Sequence, residues 1–405
     1  MKAIKVVKIL LYLPIIFGFY SCEKEELPLK GRRTVLVYLA ADNTLSSFSE
    51  DDINEMMEGV MKLKDEAERL IVYVDNSYTY EGQPQLFRLK KDKRGTVVKE
   101  VIETYEKQNS VSVEVMKKVF SCAFGNFPAA SYGLVLWSHG DGWAPADNKK
   151  LSLSRSFGQD GNTKMDISDL HEVLKGYHFD FVLFDACLMQ SVEVVYELRD
   201  CSDYFIGSPT EIPGPGAPYQ TLVKSMFGEK NTVAVDVANA YYKYYKDMYD
   251  DGRDISNTNW TGGVSVSVVK SDELEQLAIA TKNIFSNYLN EQTPIDVSAI
   301  MCYDWSSKRS YPYYYDMDGF IGVLTEHNAD YAVWHAAFKK TVPYYETTEK
   351  NYSGELKGMF SMEGSEGLSI YIPKKNLTSI NSFYSSFAWY SAAGWDETGL
   401  FDTTR

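Results

Sequence analysis

Phe181-Val182-Leu183-Phe184 is an unbroken apolar run of strand length that closes on Asp185-Ala186-Cys187. A second run, Leu134-Val135-Leu136-Trp137, closes on Ser138-His139-Gly140-Asp141-Gly142-Trp143. A strand that is apolar on every side chain is buried on both faces, the habit of parallel sheets covered by helices. Each run therefore carries one reactive side chain to the carboxyl end of a buried strand, the edge at which open parallel sheets bind ligands. Beyond Cys187, the apolar residues Val192, Val195, Tyr196 and Leu198 fall at helical spacing. This predicts a strand, a turn and a helix opening just after the cysteine.

The rest of the first half repeats the pattern. Residues 34–43 and 70–75 read as buried strands, and Gln85 to Leu89 reads as a hairpin partner followed by an alternating run at 96–102. Helices are expected after Ser49, as its cap, with Ile53, Met56, Met57 and Val60 inward, and over 111–120. A short helix opens at Asp166, and Tyr204 to Ser208 reads as a further strand. Residues 144–162 show no apolar periodicity and are expected to be a loop. Strands alternating with helices at this spacing give a largely parallel α/β sheet with right-handed crossovers. Past about residue 230, helices over 233–248, 274–284 and 327–342 mix with strand-like runs at 263–268, 311–315 and 367–373. Whether that part is a second domain or extends the same sheet stays open.

The first 22 residues stand outside the fold. Lys2, Lys5 and Lys8 precede a short apolar stretch that ends in Phe19-Tyr20-Ser21-Cys22. The stretch is short for a membrane span and has the form of a secretory signal. A small residue before Cys22 resembles a bacterial lipobox, which implies a signal over 1–21 and a diacylated Cys22. Glu23-Lys24-Glu25-Glu26, within a tether over 22–32, resembles the acidic tag of surface lipoproteins in the Bacteroides group. The expectation is an exported protein on the outer membrane, held to lipid by that anchor alone. The net charge of −15 argues against nucleic acid as a partner. The 30 tyrosines suit either core filling or a peptide- or glycan-binding surface.

With Cys22 lipidated, Cys122, Cys187, Cys201 and Cys302 remain, without metal-type spacing. One disulfide among Cys122, Cys201 and Cys302 stays possible on the sequence alone. His171-Glu172 begins like a zinc-protease helix, but Lys175 occupies the position of the second ligand, and no metal is expected. Cys187 and His139 fit nucleophilic catalysis. A free thiol, with a pKa of about 8.5, needs help to ionise near neutrality. A helix start and a nearby imidazole both supply such help. The N–H groups of Gly140 and Cys187 are candidates for an oxyanion hole.

The two motifs resemble the His and Cys motifs of the clostripain family of cysteine peptidases. Residues 35–43 are similar to that family's opening strand and 367–373 to a late one, so the resemblance runs from about residue 33 to the end. It implies a caspase-like three-layer sandwich, with a catalytic domain over 33–230 and a C-terminal α/β region over 231–405. It also implies an endopeptidase acting through an acyl-enzyme, with His139 and Cys187 as its dyad and protein or peptide substrates. The family's habit of cleaving after Arg or Lys points to Asp185, two before the cysteine, and to Glu211 as substrate-binding acids. Lys149, Lys150 and Arg155 are candidate self-cleavage points between the catalytic residues, giving a monomer or a nicked two-chain form. Some relatives need calcium, and Asp42, Asp75 and Asp160 follow or end strands, but no loop carries a calcium spacing and no cofactor is expected. Two alternatives stand beside this: an inactive caspase-fold surface protein that binds peptides or glycans, and a peptidase with a non-basic preference.

Overall fold

The computed structural model describes residues 31–76, 82–144, 157–249, 255–256, 259–304 and 312–401. The expected signal, Cys22 and the tether as far as residue 30 lie outside these residues, while Gly31 and Arg32, expected in the tether, open the first strand. Among those described, no helix is long and apolar enough to cross a membrane.

Among the described residues the centre is a nine-stranded sheet. From one edge the order is Tyr344–Thr347, Ser265–Lys270, Tyr204–Gly207, Phe181–Asp185, Ala129–Trp137, Gly31–Ala40, Glu68–Asp75, Gln85–Lys91 and Val97–Thr104. The five strands from Tyr204–Gly207 to Glu68–Asp75 are mutually parallel, and the two at each edge run antiparallel to their neighbours. Two of the strands after residue 230, Ser265–Lys270 and Tyr344–Thr347, therefore extend this same sheet.

Alternation along each strand feeds two cores. Leu36, Tyr38, Leu134, Leu136, Val182 and Phe184 face one layer. Val35, Val37, Val135, Trp137, Phe181 and Leu183 face the other. Helices Ser46–Met61, Tyr219–Ser225 and Val233–Tyr249 cover the second face. Val113–Asn126, Ile167–Leu174, Leu274–Tyr288 and Ala329–Thr341 are among those on the first. This is the three-layer α/β sandwich expected. Many tyrosines fill it: Tyr38, Tyr73, Tyr219, Tyr245 and Tyr371 are fully buried.

Three local expectations change. The first helix begins at Ser46, three residues before Ser49, and Ser49 Oγ donates to the Ser46 carbonyl instead of capping. Part of the expected 144–162 loop is a hairpin, Phe157–Asp160 with Thr163–Met165. Its strands are too short and too rich in glycine and polar residues to show a period. The apolar run at 367–373 stays out of the main sheet. Only Ser369–Ile370 is a strand, paired with Tyr315–Asp316, and it is tied to the Cys187 region through Ser369 N–H to the Gln190 carbonyl.

That attachment buries Glu193, whose Oε1 accepts from Tyr371 N–H and Tyr384 OH, both at 2.8 Å. Burial pushes its carboxyl from 4.5 up to about 7, against the pull of those hydrogen bonds. The folded protein therefore keeps a proton that the unfolded chain releases. The resulting stability is intact below about pH 4.5 and is lost as pH rises through 7. Glu193→Gln is expected to match wild type in thermal melts at pH 4 and to exceed it at pH 8 by up to about 3 kcal/mol. A variant less stable than wild type at pH 8 would show that the carboxylate is held charged.

Candidate active site

Two adjacent parallel strands bring the predicted residues together. Ala129–Trp137 pairs with Phe181–Asp185 from Gly133 opposite Phe181 to Trp137 opposite Asp185, and Ser138 N–H reaches the Asp185 carbonyl. His139 and Cys187 lie two residues beyond the last pair and keep its offset. Both line one cleft at the carboxyl edge with Gly140, Asp141, Leu188, Glu211, Asp304 and Glu355.

The turn that carries His139 is fixed from both sides. Ser138 Oγ donates to the Ala40 carbonyl at 2.8 Å and accepts from Gln159 N–H at 3.0 Å. Asn43 Nδ2 bridges the Ala40 and Gln159 carbonyls, tying the first strand to the 157–165 hairpin. Gly158 N–H donates to the His139 carbonyl at 2.9 Å. Thr44 Oγ1 lies 2.8 Å from His139 Nε2, a contact that orients the ring. Gly140 is required here. A Cβ on it would sit 2.7 Å from both Ala186 Cβ and the Cys187 carbonyl oxygen and 3.1 Å from Cys187 N, driving the two turns apart.

Cys187 occupies a sharp turn. Leu188 has φ +62° and donates its N–H to the Thr210 carbonyl. The helix after it, Val192–Glu197, starts five residues later and is capped by Ser191 Oγ. The expected helix start beside the thiol is therefore absent, because four residues of turn intervene. Ile212 N–H reaches Cys187 Sγ at 3.4 Å. Burial, and next the charge of Glu211, push the thiol well above its ordinary value. Burial and then Lys164 lower His139 to about 4. The pair rests as neutral thiol and neutral imidazole.

Of the two expected substrate-binding acids, Glu211 lies in the cleft. It accepts from Gly354 N–H at 2.8 Å and from Ser353 Oγ, which fastens the hairpin Lys350–Ser353/Gly358–Ser361 to the rim. Asp185 is buried behind it. Its Oδ2 accepts from Ala217 N–H at 3.0 Å and Tyr219 OH at 2.8 Å, and Tyr241 OH lies 3.5 Å from Oδ1. Desolvation lifts Asp185 to about 6. Lys149, Lys150 and Arg155 lie outside the described residues.

Sequence reading missed Thr44, Asp304 and Glu355. Asp304 accepts from the N–H groups of Tyr313 and Tyr314, and burial raises it to about 6. No spacing relates these positions to the motifs, whereas Asp141 sits within the histidine motif itself. Asp42 lies near enough to Asp160 for its charge to raise that acid, and Ala41 N–H donates to the Asp75 carbonyl, but among the described residues the one group of potential metal ligands whose ligand atoms already lie together is His171, Asp200 and Cys201. Asp160 Oδ2 is engaged by Ser110 N–H and Oγ, and Asp42 lies 3.9 Å from Lys107. Cys122, Cys187, Cys201 and Cys302 are all unpaired.

The family model described as the clostripain family matches residues 37–400. An X-ray structure of a secreted C11 cysteine protease from Bacteroides thetaiotaomicron, in complex with an irreversible peptide inhibitor, is 46% identical. It superimposes with a TM-score of 0.81 over 91% of this chain and 100% of that one. An inactive zymogen C11 protease from Parabacteroides distasonis is 34% identical, with a TM-score of 0.77 over 91% and 99%. Clostripain of Hathewaya histolytica is 27% identical over 218 residues, 47% of this chain and 41% of that protein, so the match spans less than half of that relative's length.

Glu211→Gln is expected to lower the Cys187 pKa and to speed its alkylation by iodoacetamide at pH 8 about three- to tenfold. Peptide mapping separates Cys187 from the other thiols. An unchanged rate at that site would remove Glu211 as the group holding the thiol protonated.

Proposed function

Because the chain belongs to the clostripain family, we propose that it is a cysteine endopeptidase that cleaves after Arg or Lys, with Cys187 as nucleophile and His139 as acid and base. The observation that carries this is the shared register position of the two side chains at one cleft. His139 is neutral and able to accept a proton. As Cys187 Sγ bonds to the scissile carbonyl carbon, its proton passes to the imidazole. The carbonyl oxygen gathers charge facing the N–H groups of Gly140 and Cys187. The imidazolium then protonates the leaving amine as the C–N bond breaks, leaving an acyl-enzyme. Water, giving its proton to His139, cleaves the thioester and restores the thiol.

Acidic side chains support the basic preference. Glu211, Asp141, Asp304 and Glu355 line the cleft, and Asp185 adds charge from behind. The raised thiol pKa describes a resting enzyme, and a cut between His139 and Cys187, at Lys149, Lys150 or Arg155, is the proposed activation. The inactive zymogen among the relatives is consistent with this. Export is supported by the secreted relative. Anchoring through Cys22 rests on the form of the N-terminal sequence alone.

Cys187→Ala is expected to reduce hydrolysis of arginyl or lysyl peptides by at least about a thousandfold and to prevent any self-cleavage, with an unchanged melting profile. Wild-type turnover by that variant would rule out the thiol mechanism. A positional-scanning peptide library on the wild-type protein reads the preference directly, and a preference for acidic or neutral residues would refute the second half of the proposal.

A further inference from the structure

Helix Ile167–Leu174 carries a motif that the catalytic cleft does not use. His171-Glu172 opens like a zinc-binding helix, and Lys175 denies that helix a second ligand of its own. The fold supplies two from another segment. The turn after helix Val192–Glu197 brings Asp200 and Cys201 against the first helix. There the ligand atoms of His171, Asp200 and Cys201 all lie within 4.8 Å of one another. None of the three lines the cleft of His139 and Cys187.

One oxygen is the centre of this cluster. Asp200 Oδ1 stands 3.0 Å from His171 Nε2 and accepts from the Cys201 thiol at 3.4 Å. A tetrahedral zinc ion, with bonds of about 2.0 to 2.3 Å, holds such atoms about 3.4 to 3.6 Å apart. The hydrogen-bonded spacing is therefore close to a ligand spacing. The frame around it is already built. Cys201 N–H donates to the Leu198 carbonyl, and Phe179 N–H donates to the Cys201 carbonyl, both at 2.9 Å. Leu170, Val173 and Leu174 from one helix and Val194, Val195 and Leu198 from the other segment are buried in one core, so both halves of the cluster stand on packed elements. Cys201 is 1% exposed, whereas the His171 and Asp200 side chains are 29% and 64% exposed. An ion can enter from the carboxylate side and keep water in its fourth position. One thiol, one imidazole and a single carboxylate suit zinc, whereas calcium and magnesium take oxygen donors.

We propose that His171, Asp200 and Cys201 form a zinc site separate from the peptidase centre. The ion clamps the helix that leads into strand Phe181–Asp185 to the turn that follows the next helix, so it braces both connections of the segment carrying Cys187. Zinc enters as the divalent ion with no change of oxidation state. The Cys201 thiol gives its proton to solvent, and His171 offers the Nε2 lone pair with its proton on Nδ1. The contacts of Asp200 with the thiol and the imidazole give way to three metal bonds. The ion takes no part in acyl transfer.

The test uses the protein carrying Cys187→Ala, which removes the catalytic thiol as a competing ligand. After treatment with a chelator, zinc is titrated by calorimetry, and cobalt(II) is followed by its thiolate charge-transfer absorption. One zinc per chain and a cobalt–thiolate band are expected. His171→Ala and Asp200→Asn should each weaken zinc binding by about tenfold or more, since losing even an outer partner of a metal site costs that much. Cys201→Ser should abolish the cobalt band. Absence of zinc binding, binding that either surface variant leaves unchanged, or a band that survives Cys201→Ser overturns the proposal. Should Cys201→Ser not accumulate as folded protein, His171→Ala decides, and a cobalt band of undiminished strength there overturns it equally.

Discussion

The parallel pairing of Ala129–Trp137 with Phe181–Asp185 is the constraint on which the rest depends. Its register brings an imidazole and a thiol from distant parts of the chain to one edge. A slip of one residue would send every side chain of one strand to the opposite face. That is prevented from both sides, because the alternation feeds two separate cores, with Leu134, Leu136, Val182 and Phe184 on one face and Val135, Trp137, Phe181 and Leu183 on the other. Gly140 adds a local lock, since only a residue without a Cβ lets the histidine turn rest on the cysteine backbone.

Electrostatics then set what this geometry does at rest. Desolvation acts on both partners in the direction of neutrality, raising the thiol and lowering the imidazole. Glu211 reinforces it while fastened to Ser353 and Gly354. A neutral pair becomes nucleophilic only as the thiol proton moves to the imidazole, and burial opposes that separation of charge. The same acid that suppresses the thiolate would attract a basic peptide. A cation drawn in by Glu211 would also cancel the charge that holds the thiol protonated.

The sequence made the sheet and the dyad legible because both rest on local pattern. Residues 181–185 and 134–137 are apolar throughout, and the reactive residues follow them directly. What stayed hidden is long-range. Thr44 reaches His139 from the end of the first strand, and Glu355 reaches the cleft from a hairpin more than 150 positions after Cys187. The hairpin at 157–165 was hidden because its strands are too short for a period, and the helix after Cys187 was placed too early because turn residues 188–191 include apolar Leu188 and Met189. The run at 367–373 is apolar because it is buried against the Gln190–Glu193 segment, which pattern cannot distinguish from burial within a sheet.

The two ends of the sheet treat buried acids differently, and the contrast locates function. At the amino ends of the strands, Asp180 is met by Arg33 through Nε at 3.0 Å and Nη2 at 2.6 Å, and Arg33 is completed by the Met226 and Gly228 carbonyls. That charge is matched within the fold, as a purely structural acid requires. At the carboxyl ends, Asp185 is held by an amide and two phenols, with no cation among these donors. A fold that matches its acid with a guanidinium at one edge and leaves Asp185 to neutral donors at the other lets desolvation lift that carboxyl to about 6.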